Sequence, residues 1–419
     1  MRVFRGYGNP RLTLTAEVHA VLQLCTINEP LFPNLKSLEL WSTAGEFIPF
    51  IPSFLSPRTT SISITFTGYN PPNVVFVASM LTTFPTLCPN LQTICLRSLP
   101  KDPIITVAAS KLLLTINRDT LQQFHVDSPL TEEAREVIFN LSNLYGLTVV
   151  VEGSASLPTM TFPNLTDLDV KYDHNCDWLE GFRGATLGKL NSVTFHAESQ
   201  SAQIFDFLEA FESVGLATSA TLSSFSFYTL HPWRPNYRSL LSLKQLRELR
   251  IEFSCEDDCS STIDDDIIAD MARAMPTLEI LQLGYEPCGT PTGVTAKGLA
   301  ALARHCPDLS SLNIHFRMDS FNVLPAIART PRTGTAVPRR DCALTNLDVG
   351  KTPMLEESAL MVALALVRIF PNITQIDYTL ENEHWAKVSD AIHLSGQLID
   401  HTSKDNSLAA SQSNSSDTF

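Results

Sequence analysis

One arrangement of apolar and polar positions recurs along this chain, and it is clearest in Thr292–Ile314, TGVTAKGLAALARHCPDLSSLNI. Leu299, Leu302 and Ala303 fall at helical spacing and make one apolar face. The helix is expected to stop at His305-Cys306-Pro307, because proline disfavours helical geometry in the residue before it. Leu309, Leu312 and Ile314 follow, the last two alternating as in a half-buried strand. A helix, a turn and a short strand cannot bury their apolar faces alone. They need copies on either side.

The copies are present. The strand pattern L-x-x-L-x-L, with conservative variants, occurs as PNLKSLEL (33–40), PNLQTICL (89–96), DTLQQFHV (119–126), NLYGLTVV (143–150), PNLTDLDV (163–170) and GKLNSVTF (188–195). It continues as ATLSSFSF (220–227), KQLRELRI (244–251), PTLEILQL (276–283), PDLSSLNI (307–314), ALTNLDV (343–349) and PNITQIDY (371–378), with a degenerate copy TTSISI at 59–64. Successive first apolar residues lie 21 to 35 residues apart, with one gap of 56 that the degenerate copy divides. These periods bracket the leucine-rich-repeat range and extend beyond it. Between the strands, 73–84, 104–116, 131–141, 203–211, 263–275 and 356–370 carry apolar residues at three- and four-residue spacing and read as helices. Thr131-Glu132-Glu133 supplies a capping hydroxyl and first-turn carboxylates. The expected fold is an α/β leucine-rich-repeat solenoid, a horseshoe of about 13 repeats, with parallel strands on its concave face and helices on its convex face. It would occupy 31–395, after a helical or irregular lead-in (1–30, with a helical patch at 16–24) and before a disordered polar tail (396–419). A helix at 383–394 would cap the C-terminal end, while the first repeats have no comparable cover and are expected to fray or associate.

Composition narrows the function. A net charge of −14 over 419 residues disfavours contact with nucleic-acid phosphates or an anionic membrane. The longest apolar run, 358–370, is interrupted by Arg368 and too short for a membrane span. No secretory pattern opens the chain, and nine cysteines follow no disulfide framework, so cytoplasm or nucleus is the expected location. Cys88 and Cys306 each precede a proline at one repeat position and read as reduced core thiols. Cys255 and Cys259 lack a second pair at zinc spacing.

Catalytic signatures are weak. GATLGKL (184–190) has three residues between its glycines and lacks the magnesium-binding hydroxyl of a phosphate loop. The run from Glu252 to Asp270 holds eight acidic residues, of which Asp264, Asp265 and Asp266 precede a helix and read as its cap. The ten histidines do not cluster with a nucleophile. Asn140, Asn164 and Asn372 open N-x-S/T triplets but read as repeat-turn residues. No catalytic residue, cofactor or metal site is therefore assigned.

The repeat itself points to a surface. Its apolar residues face inward, so the residues between and after them line the concave side. The candidate protein-binding residues on that side are Glu39, Trp41, Arg97, His125, Asp127, Asp169, Lys171, His196, Tyr228, Arg250, Glu252, Gln282, Asn313 and His315. Repeat proteins bind partners along such surfaces.

GLAALARHCPDLSSLNI resembles the cysteine-containing repeat of F-box substrate receptors. LFPNLKSLEL, LCPNLQTICL and TFPNLTDLDV resemble the F-box/leucine-rich-repeat proteins of mushroom-forming fungi. The resemblance implies a receptor that performs no chemistry: the repeats hold a protein substrate while an F-box docks on the adaptor of an SCF ubiquitin ligase. The family's F-box is a three-helix module opening with leucine-proline-x-glutamate, and the residues before Leu31 do not read that way. The expectation is a receptor product that needs an F-box supplied upstream to reach the adaptor, or a repeat-only relative unconnected with ubiquitin. An enzyme or GTPase activator on the same solenoid is the third reading. It would require a catalytic arginine, or a histidine–carboxylate pair converging on one concave patch.

Overall fold

The computed structural model describes residues 3–7, 21, 30–41, 45–66, 72–152, 162–173, 187–197, 221–229, 240–253, 263–284, 293–317, 341–350, 352–354, 356–378 and 383–394. The expected helix at 203–211, Cys255, Cys259 and the 396–419 tail lie outside these residues, as do most of the 16–24 patch and the first part of the 184–190 loop. The chain forms two compact units, 1–222 and 223–419.

In the first unit eight strands run parallel, each beside its sequence neighbour: β1 (Val3–Tyr7), β2 (Ser37–Trp41), β3 (Ser61–Thr65), β4 (Thr93–Arg97), β5 (Gln123–Val126), β6 (Gly146–Glu152), β7 (Asp167–Asp173) and β8 (Ser192–Ala197). Helices Val74–Leu87, Pro103–Thr115 and Glu132–Ile138 fill the crossovers after β3, β4 and β5. The second unit repeats the plan with six parallel strands: β9 (Ser224–Thr229), β10 (Glu248–Phe253), β11 (Ile280–Leu283), β12 (Ser311–Ile314), β13 (Asn346–Asp348) and β14 (Gln375–Asp377). Its helices are Asp265–Ala274, Ala296–His305, Ala359–Ile369 and a last one at 384–394. Every copy read from the sequence, including the degenerate one, is a strand.

The pattern produces this arrangement because apolar burial outweighs the cost of ordering short segments. Leu91, Ile94 and Leu96 of one repeat are fully buried, as are Val77, Leu81 and Phe84 of the preceding helix. Each such side chain contributes about 2 kcal/mol when removed from water. The helix starts are capped as their residue types direct. Asn73 accepts from the amides of Val75 and Phe76, Asp102 from that of Ile104, and Thr131 from that of Ala134.

The residue before the first leucine of several copies has a specific task. Asn164 donates through Nδ2 to the Ser142 carbonyl at 2.9 Å, and Asn372 to that of Cys342 at 2.8 Å. Where threonine replaces asparagine, its hydroxyl does the same: Thr120 to Leu91 at 3.0 Å, Thr221 to Leu190 at 2.8 Å and Thr277 to Leu246 at 3.0 Å. Each bond satisfies a turn carbonyl of the previous repeat that the strand ladder does not reach. The triplets at Asn164 and Asn372 are thus inter-repeat clamps. The backbone adds to this, since Gln122 and Gln123 both donate to the Gln92 carbonyl.

The aspartate run divides its labour in the second unit. Asp264 caps its own helix through the amides of Asp266 and Ile267. Asp265 reaches the next helix instead: it accepts from the Thr295 amide (2.8 Å), the Thr295 hydroxyl (2.6 Å) and the Gly298 amide (2.8 Å). A Cβ on Gly298 would lie 2.7 Å from Asp265 Oδ1, which explains a buried glycine inside a helix.

One expectation is corrected. The β2 edge is not bare, because β1 pairs with it in register from Val3↔Ser37 to Tyr7↔Trp41. The segment VFRGY lacks the repeat signature, and its pairing is a property of the waiting edge rather than of its own pattern. At the other end, Trp385 of the last helix is fully buried and donates to the Thr352 carbonyl at 2.9 Å, with Phe316 edge-on at 6.0 Å.

Candidate functional site: the open sheet faces

On the repeat strands whose side chains are all described, buried residues alternate with part-exposed ones, except on β9, where Ser226 is buried as well. The part-exposed set lies opposite the apolar core and forms rows, because neighbouring strands are in register. In the first unit one row runs Glu39, Ser63, Cys95, His125, Thr148, Asp169 and Thr194. A second brings Thr65 beside Arg97 and Lys171 beside His196. Trp41, 46% exposed, stands beside the backbone of Tyr7 at the β1 end.

The polar residues of this face are linked to one another. His125 Nδ1 lies 2.9 Å from Thr148 Oγ1, and the Thr148 hydroxyl is 3.3 Å from Asp169 Oδ2. His196 Nε2 is 3.5 Å from Asp169 Oδ1, an ion-pair separation too long for a hydrogen bond. Asp169 Oδ1 is buried and accepts no hydrogen bond. Lys171 Nζ binds Asp127 Oδ1 at 2.8 Å, and Asp127 Oδ2 accepts from the Ser98 amide at 3.0 Å. Burial pushes the Asp169 carboxyl up to about 6, against the opposing pull of Lys171. Burial holds His125 below the usual imidazole value, and the Arg97 charge adds to the effect. Gly146 makes room for this imidazole: a Cβ there would sit 2.8 Å from His125 Nε2.

The second unit has its own row: Ser226, Arg250, Gln282, Asn313, Asp348 and Asp377. Tyr228 stands beside Glu252. Arg250 pairs with Glu248 on its own strand, and Ser224 donates to the other oxygen of that carboxylate at 3.0 Å. Gln282 donates to Glu252 at 2.8 Å, and Asn313 to Asp348 at 2.7 Å. Asp348 also accepts from the Gly350 amide at 2.9 Å. Gly350 has φ +51°, and a Cβ there would lie 2.4 Å from His315 Nε2, so both conformation and space require glycine. Burial raises Glu252 and Tyr228, raises Asp348 with help from Asp377, and lowers His315.

All fourteen candidate residues lie on or at the ends of these strands. The structure joins His125, Asp127, Asp169, Lys171 and His196 into one polar patch in the first unit. It joins Arg250, Glu252 and Gln282 to Glu248 and Tyr228 in the second. Glu39 and Trp41 are at the far end of the first row and do not join the patch. Thr148 falls between His125 and Asp169 when the repeat copies are aligned but lay outside the candidate set, and its contacts with both are seen only in the structure. Among the described residues no group of three or more histidine, cysteine, aspartate or glutamate side chains is placed to hold a metal ion. No helix among them is long and apolar enough to cross a membrane.

These elements define an α/β leucine-rich-repeat solenoid. No family model matches the chain, and no curated protein matches it. Among solved structures it is similar to the Rad7 and Elc1 complex of yeast, at 15% identity over 77% of this chain and 73% of that one, with a TM-score of 0.39. It is also similar to the leucine-rich repeat-containing protein LegL7 of Legionella pneumophila, at 14% identity over 94% of this chain and 98% of that one, with a TM-score of 0.32. These likenesses are loose, and the fold assignment stands on the chain's own strands and registers.

Proposed function

We propose that the open sheet faces bind protein, and that the chain is the substrate-recognition part of an F-box-type ubiquitin ligase receptor. One observation carries the binding half: polar side chains, most of them part-exposed, stand in register across successive paired strands. Such a surface presents many fixed donors and acceptors to one partner without rearrangement, which limits the entropy lost on binding. The ubiquitin half rests on the resemblance of the repeats to F-box receptors. On this reading residues 31–395 are the scaffold, 1–30 lead into it and 396–419 are a polar tail. The protein works in cytoplasm or nucleus without cofactor, nucleic acid or membrane.

The enzyme reading asked for a histidine–carboxylate pair, and Asp169 with His196 is one. The nearby hydroxyl, Thr148, is 4% exposed and engaged by His125 and Asp169, so a substrate does not reach it. Arg250 is held by Glu248 rather than offered to a ligand. Binding is the better use of this surface.

The test is a parallel affinity purification from cells of this chain and of a form joined to any in-frame upstream F-box. Recovery of ligase adaptor and cullin by the joined form alone, with other proteins common to both, is the expected result. If no upstream F-box exists and neither form recovers ligase components, the ubiquitin half fails and a free-standing scaffold remains. If charge reversals at Lys171 and Glu252 leave every captured protein in place, the binding half fails as well.

A further inference from the structure

Two strands of the first unit's open face end in side chains that the molecule leaves unused. β2 ends in Trp41, 46% exposed, and β4 ends in Arg97, which is also exposed. Leu40 pairs with Ile64 and Thr65 with Arg97, so Trp41, Thr65 and Arg97 follow one another on the same side of β2, β3 and β4. Two strand spacings put the indole and the guanidinium on backbones about 10 Å apart. No hydrogen bond or ion pair among the described residues reaches the Arg97 guanidinium. Its backbone is nonetheless fixed, because the Arg97 carbonyl accepts from the Phe66 amide at 3.0 Å.

The missing partner follows from where the nearby carboxylates point. Asp127 comes directly after Val126, which pairs with Leu96, so it stands beside Arg97 across the strands. It turns away: Oδ1 binds Lys171 at 2.8 Å, and Oδ2 accepts from the Ser98 amide at 3.0 Å. Ser98 presents that amide from φ +57°, a left-handed conformation that serine seldom adopts. Asp169, whose carboxyl feels the Arg97 charge, has Oδ1 buried and Oδ2 bonded to Thr148. Both acids are engaged inside the molecule, one of them through a strained turn. The Arg97 donors are left to solvent.

We propose that Trp41 and Arg97 together seat a protein segment carrying an aspartate or glutamate near an aromatic or aliphatic residue, with the carboxylate on the Arg97 guanidinium and the apolar side chain against the Trp41 indole. A planar guanidinium grips a carboxylate through two parallel N–H···O bonds, which an ammonium cannot copy. Tryptophan and arginine are the residue types most enriched among those that carry the energy of protein interfaces. The separation suits an extended segment. A polyproline-II chain rises about 3.1 Å per residue with three residues per turn, so side chains three apart fall on one side, about 9 Å from each other. Thr65 between the two contacts is short and part-exposed, so no long side chain of β3 stands in the way.

The inference rests on the open face being a protein-binding surface, and its test is separate from the purification above. A displayed library of random dodecapeptides is selected at pH 7.5 on the full chain and on its Arg97→Glu and Trp41→Ala variants, each checked by thermal unfolding. The wild type should enrich peptides with an acidic residue about three positions from an apolar one. Synthetic copies, followed by fluorescence anisotropy, should bind both variants about tenfold more weakly or worse. Arg97→Glu should instead enrich lysine or arginine at the acidic position, an exchange that a merely structural role for Arg97 would not produce. Identical enrichment by wild type and Arg97→Glu overturns the proposal. So does a wild-type set without acidic residues, or a selection that enriches nothing. Self-association in sedimentation that Arg97→Glu abolishes would give the face to a second copy and overturn it too. Captured proteins that are lost on reversing Lys171 and Glu252 but kept by Arg97→Glu sink this inference and leave the scaffold reading standing.

Discussion

Replacing Asp265 and Gly298, singly and together, tests whether neighbouring repeats are held by a side-chain staple rather than by apolar contact alone. Asp265 accepts three hydrogen bonds from the next repeat, two from amides at its helix start and one from the Thr295 hydroxyl. At about 1 kcal/mol each, with part-exposure allowed for, Asp265→Ala should cost about 3 kcal/mol. Gly298→Ala alone would ordinarily stabilise a helix by up to about 1 kcal/mol. Here its Cβ would meet Asp265 Oδ1 at 2.7 Å and force the carboxylate off two of its donors. The net effect should be a loss of about 1 kcal/mol. With Asp265 already alanine, the main obstacle is gone and only Val294 Cγ1, at 3.1 Å, needs to adjust. The cost of Gly298→Ala should then vanish or reverse, giving a coupling of about 1–2 kcal/mol. Urea unfolding of the four proteins, followed by circular dichroism, measures the cycle. A neutral or stabilising Gly298→Ala in the wild type, or simple additivity of the two changes, would refute the staple.

Two further outcomes follow from burial. Asp169 titrates at about 6 in the folded chain, above the ~3.9 of an unfolded aspartate, so the folded state binds its proton more tightly. The unfolded state therefore carries fewer protons between these values, and stability falls as pH rises from about 4 to 6. Asp169→Asn should stabilise by about 1–2 kcal/mol at pH 7.5 and by about half as much at pH 5, read from urea midpoints at the two pH values. The gain should not grow on acidification. Among the described cysteines, Cys88 and Cys306 are fully buried with thiols pushed up to about 11 and about 12, and burial also raises Cys342. Of these four, iodoacetamide at pH 8 should modify part-exposed Cys95 first in the native protein, as mass spectrometry of short labelling times would show; rapid labelling of Cys306 would contradict the buried placement.

What the amino-acid sequence determined by itself is the repeat. Alternation and helical spacing depend only on local geometry, so the strands from β2 to β14 and the longer described helices lie where the pattern puts them, within a few residues at their ends; the short helical turns at Gly45–Phe50 and Ile51–Phe54 do not show in it. The same holds for the caps at Thr131 and Asp264 and for the buried thiols of Cys88 and Cys306, since each is set by its immediate neighbours. The sequence also identified which residues face away from the core. Matching the copies of L-x-x-L-x-L lines these residues up into a row, with Thr148 between His125 and Asp169, and the ladders pair them in that order. Only the tertiary structure shows that these three side chains contact one another, across 23 and 21 residues of chain. The same limit hid β1, whose pairing needs an edge made by β2, and the Asp265–Gly298 contact, which joins residues 33 apart. Local pattern fixes which way a side chain points; what it meets there is decided when neighbouring repeats come into register.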